Sequence, residues 1–236
     1  MKDKSNRYSF AAGVLLLISF LSFAYEWLID PLRMVGGHYT DKGFFEYLKS
    51  LYTSESSSRG EIAQTVLIVS LALLTIAAFR QNVLLFLVGM VLDLGVLTNE
   101  YLLFREQKYT PDFWDSYRRL GFVTTYVVPA VVVCLLLVLA VALLLNKSFA
   151  KWICLAVIAV ATIGFLLEAV LCIGQYVSSS WAWQKGHLDR VFFSYSRHDT
   201  FYMTAGYTPV SYFTRAAIAV LVALWGMGRC KANAQK

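Results

Sequence analysis

Six long apolar stretches, at about 9–29, 62–79, 83–104, 123–145, 152–177 and 212–228, leave this chain almost no room for a water-soluble domain. A bilayer core about 30 Å thick is crossed by ~20 mostly apolar residues of helix at 1.5 Å rise. Five stretches meet that length. The sixth is interrupted by Arg215, which leaves an unbroken apolar run only over 216–228. It spans if Arg215 snorkels to the interface, with Tyr212, Phe213 and Trp225 as interfacial aromatics; otherwise the chain has five spans and a re-entrant segment.

Composition agrees. With 58% hydrophobic and 15% charged residues, and a mean hydropathy of +0.58, the chain is too apolar for a solvated surface. The expected fold class is an all-α integral membrane protein: one polytopic domain over 1–236, a six-transmembrane-helix bundle with outer loops at about 30–61, 105–122 and 178–211. Its first partner is the lipid bilayer. The net charge of +6 comes from cations spread over the ends of the spans, with no stripe and no nucleic-acid motif, so nucleic acid is excluded as a partner.

Those cations also set an expected orientation. Lys2, Lys4, Arg7, Arg80, Lys147, Lys151, Arg229, Lys231 and Lys236 crowd short segments on one side, whereas the rest are diluted over long loops. By density both termini are cytoplasmic, in what reads as a bacterial plasma membrane. The basic start followed by 10–21 also resembles a secretory signal, with Ser22-Phe23-Ala24 as a cleavage site. The apolar stretch runs on through Ile29, which favours a retained first span. The inner turns, 80–82 and 146–151, are too short for a coupling helix, so no ATPase subunit is expected.

The outer loops carry an internal pattern. Phe44, Phe45, Glu46 and Lys49 recur in register as Phe113, Trp114, Asp115, Arg118 and Arg119, with a fainter echo in Phe192-Phe193-Ser194-Tyr195-Ser196-Arg197. Thr110-Pro111 is a good helix start and Thr40-Asp41 a fair one. Short helices over 41–51 and 111–120 follow, able to rest their aromatics at headgroup level with Lys49, Arg118 and Arg119 on phosphates, or simply to cover the tops of the spans.

Glu26, Glu100 and Glu168 also match, each about 17 residues beyond the inner start of an odd-numbered span, ~26 Å up and near the outer interface. Together with the loops they suggest three repeated units. At that depth a carboxylate reaches water or headgroups cheaply; the alternative is a converging acidic cluster that holds a cation or a cationic substrate group.

Asp93 is the sharper residue. It lies ~15 Å into the third span, near the midplane, where an ionised carboxylate is expensive. It should face the bundle interior on one face with Val96, Leu97 and Glu100, and be protonated or meet a partner. With Arg215 at the interface, no cation shares its depth, so Ser70, Thr75 or water would serve. A merely structural, protonated Asp93 should then tolerate Asp93→Asn, since the amide offers a donor and an acceptor in its place. Pro129 should kink the fourth span at the carbonyl of Thr125.

Other chemistry is thin. His38, His187 and His198 all fall on outer loops with no ligand spacing, and no cofactor or catalytic motif is present. Of the four cysteines, Cys134 is mid-span, Cys154 and Cys230 lie near the inner side and Cys172 near the outer, with no bridging pair on the outer side. The expected role is a non-enzymatic accessory, scaffold or sensor component with another membrane protein as partner. The alternatives are a small proton- or cation-coupled carrier or channel using Asp93 and the outer glutamates, and an outer-face enzyme acting on a lipid-linked substrate.

Overall fold

A computed structural model describes residues 2–24, 59–106, 123–178 and 209–234. These residues are all helical apart from two tight turns: α1 Lys2–Ala24, α2 Arg59–Arg80, α3 Val83–Glu106, α4 Val128–Leu144, α5 Ala150–Ser178 and α6 Pro209–Ala234. A short π-helical turn, Val123–Val127, leads into α4. Three of the helices contain segments long and apolar enough to cross a membrane, Asn6–Ala24, Ala150–Val170 and Phe213–Cys230; Thr65–Arg80, Val83–Asn99 and Val128–Leu144 are shorter apolar helices. Glu26 and the loop segments holding Phe44, Phe45, Lys49, Phe113, Trp114, Arg118 and Arg119 lie outside the described residues, and so do the three histidines.

Each helix packs on its neighbours in sequence, and α6 closes the circuit against α1. α4 also touches α6 across the bundle. The connections between α2 and α3 and between α4 and α5 are built alike. Gln81 and Asn146 adopt left-handed φ of 54° and 51°. Behind each, the next amide reaches back five residues: Asn82 donates to the Ala77 carbonyl and Lys147 to that of Ala142, both at 2.9 Å. This is the six-to-one closure that ends helices when a residue enters the left-handed region. Asn82 then caps α3, its Oδ1 accepting from the Leu84 and Leu85 amides at 3.0 and 3.2 Å.

The start of α1 and the end of α6 lie at this same turn end. The Gln81 side chain donates to Asn6 at 3.0 Å, and Arg229 reaches the Gln81 carbonyl at 3.4 Å while stacking over Trp225. Exposed Arg7, Arg80, Lys147, Lys151 and Arg229 therefore make a basic collar at one end of the bundle.

Close helix approach explains how an apolar bundle satisfies its few hydroxyls. Ser9 on α1 donates to the Ala78 carbonyl on α2 at 2.6 Å, and Ser70 on α2 donates to the Gly89 carbonyl on α3 at 2.8 Å. Such bonds have no water to compete with them in an apolar setting. Glycine makes the second possible: a Cβ at Gly89 would lie 2.7 Å from Leu74 Cγ and Cδ2. Gly13 likewise admits the Phe79 ring, which stands edge-on to Phe10, and Gly164 admits Val128.

Two expectations change here. The irregularity at Pro129 takes the form of the π turn just before α4, with proline in the first turn of the helix that follows. Proline has no N–H to give to the carbonyl four residues back, and widening the preceding turn absorbs that loss. The sixth helix is also longer than its apolar run, passing through Arg215 without a break to Ala234.

Candidate functional site

Asp93 lies on the inward face of α3. It is buried, as are Val96 and Leu97 at three and four residues on, so the face drawn from helical spacing is the face that packs. Glu100 continues that spacing on α3, with its side chain outside the described residues.

The partner of Asp93 is Arg215 on α6, on the other side of the bundle interior. Arg215 Nη2 stands 3.9 Å from Asp93 Oδ1, with the arginine side chain 28% and the aspartate side chain 12% exposed. This corrects the expectation that Arg215 snorkels away and that no cation shares the depth of Asp93. Counting ~1.5 Å per residue from the turn end, where Arg229 meets Gln81, puts Asp93 about 18 Å and Arg215 about 21 Å up their antiparallel helices. Their levels match because α6 descends as α3 rises.

Nor do the expected hydroxyls serve Asp93. Ser70 donates to Gly89, and Thr75 donates to the Leu71 carbonyl of its own helix at 2.7 Å. A hydroxyl has one proton to give, and both are committed. At 3.9 Å the contact exceeds the 2.7–3.2 Å of a direct N–H to O hydrogen bond, so the two side chains face each other at ion-pair distance without forming a tight fork.

Glu168 on α5 is the second acid of the interior. Expected either to reach water or headgroups or to join an acidic cluster, it is fully buried and engaged within the protein. Its setting follows from the α5–α6 contact, where Phe165 and Phe213 rings meet at 4.7 Å between centroids. Glu168 is one turn beyond Phe165, and Arg215 is two residues beyond Phe213. Helical side chains lean toward the N-terminus of their own helix, so on antiparallel α5 and α6 these two lean toward one another's level. Thr124 and Tyr126 of the π turn are buried too and add hydroxyls to the interior.

An arginine facing one carboxylate, in a bundle with a second buried acid, draws α3 and α6 together electrostatically. Among the described residues no group of three or more histidine, cysteine, aspartate or glutamate side chains could hold a metal ion. Comparison with protein-family models, curated proteins and solved structures returns no match for this chain, so the site is read from its own chemistry.

Proposed function

We propose that the chain is a six-span protein of a bacterial plasma membrane, with both termini and the basic collar in the cytoplasm. In this reading it serves as a non-enzymatic accessory or scaffold component whose outer loops, patterned around Phe44, Phe45 and Lys49 and around Phe113, Trp114, Arg118 and Arg119, meet another membrane protein. The sheath of exposed apolar side chains, Phe10, Ile18, Val91, Val138 and Leu166 among them, supports the bilayer setting. The collar supports the orientation, since cationic segments stay on the cytoplasmic side.

One observation carries the choice of scaffold over transport: the acid buried on α3 is matched by an arginine on α6. A carboxylate waiting for a proton or a cation is costly to leave charged in an apolar bundle, and a resident arginine removes that vacancy. The second reading, a small proton- or cation-coupled carrier, draws on the looseness of the same pair. Its 3.9 Å separation and the partial exposure of Arg215 would let it open.

The two readings separate in liposomes. Purified protein, reconstituted with a pH-sensitive dye inside and an imposed proton or potassium gradient, should pass no more charge than protein-free vesicles. Flux that disappears in Asp93→Asn would replace the scaffold with the carrier.

A further inference from the structure

Two cysteines far apart in sequence lie on packed helices, α5 and α6, at the turn end of the bundle. Cys154 is fully buried on α5, and Cys230 is partly exposed on α6. Gly226 precedes Cys230 by four residues, so both occupy one face of α6. A Cβ at Gly226 would lie 3.1 Å from the Cys154 Sγ, which puts that sulfur against this face. Cys154 leans toward the start of α5 and Cys230 toward the start of α6; because the helices are antiparallel, the two thiols lean together. Absence of a side chain at Gly226 is what lets α5 and α6 come this near.

We propose that Cys154 and Cys230 are a redox-active dithiol that closes to a disulfide between α5 and α6 by exchange with a low-molecular-weight disulfide. Burial assigns the order of events. Cys230, the reachable thiol, gives up its proton and attacks one sulfur of the small disulfide. A bond forms between Cys230 Sγ and that sulfur, the small disulfide's own S–S bond breaks, and the departing thiolate takes up a proton. Cys154, which the small molecule does not reach, then attacks Cys230 Sγ as a thiolate and expels the second small thiol. The Cys154 proton goes to the second departing thiolate, so one small disulfide is reduced to two thiols while the protein dithiol gives up two protons and two electrons. The product ties α6 to α5 near the Arg229 contact that anchors α6 to the α2–α3 turn.

The experiment uses the full chain in detergent micelles with 2-hydroxyethyl disulfide, followed by alkylation of the remaining thiols and non-reducing peptide mapping. Wild type should yield a peptide pair joined through Cys154 and Cys230, whatever adduct exposed Cys134 forms with the reagent. Cys154→Ser should instead hold Cys230 as a mixed disulfide with the reagent. The proposal is overturned if wild-type protein stops at that mixed disulfide, if Cys230 does not react, or if Cys230 joins Cys134 or Cys172 instead. The wild-type arm decides the matter even if the variant does not fold.

Discussion

At the residue scale, Asp93 and Arg215 show how much of a buried site a linear reading can reach. Asp93 stood out because helical spacing puts it on one face with Val96 and Leu97 at membrane depth, and that face is buried. Arg215 was equally visible as the one basic residue inside any apolar stretch, yet it was assigned to the interface. An acid and a base in apolar surroundings each cost less when they face each other than when each seeks water alone. Which helices face each other across a bundle is not written in hydropathy, so the pairing needed the fold. The pairing sets a different expectation for Asp93→Asn from that of a merely structural acid, because the amide removes the carboxylate that faces Arg215. Asp93→Asn should lower stability by less than the ~3–5 kcal/mol that breaking a tight buried pair costs, since this pair is open at 3.9 Å, and the loss reads as an earlier thermal unfolding in detergent. Asp93→Asn with Arg215→Gln should unfold closer to wild type than Asp93→Asn alone. Equal melting of wild type and Asp93→Asn would mean that the pair does not hold α3 to α6.

Among elements, the helices themselves were legible because long apolar runs leave few other choices, and α2, α3 and α5 begin or end within a few residues of the expected spans. Their ends were less so. Gln81 and Asn146 give no glycine signal for the left-handed closures they make, and α6 runs on past its apolar window into a polar tail. The contacts between helices were the least legible, since small residues are common in such segments and only some meet a neighbour. Gly89 is one that does. A methyl there meets Leu74, itself buried, at the point where Ser70 bonds the Gly89 carbonyl. Gly89→Ala should therefore part α2 from α3 and cost about 1–3 kcal/mol, as overpacking does. Gly95, with open space around its Cβ position, is the control. Gly95→Ala should match or exceed wild-type stability in the same melt, because alanine is the better helix former. A Gly89→Ala protein as stable as the Gly95→Ala one would rule out the close α2–α3 approach.

For the whole molecule, the closed circuit of six helices puts the described starts and ends of the chain at one end, with a cationic collar around them. An apolar sheath between that collar and the opposite end is what a bilayer would cover, and the acid and base inside are the groups a bilayer would force together. The most direct test of this account is sidedness. Ser54→Cys lies in the first long loop and Ser148→Cys in the turn between α4 and α5; each is placed in a background lacking the native cysteines. In intact cells a membrane-impermeant maleimide should label Ser54→Cys and leave Ser148→Cys unlabelled until the membrane is opened. Labelling of Ser148→Cys in intact cells, with Ser54→Cys protected, would invert the molecule; equal labelling of both would contradict a membrane-spanning bundle altogether.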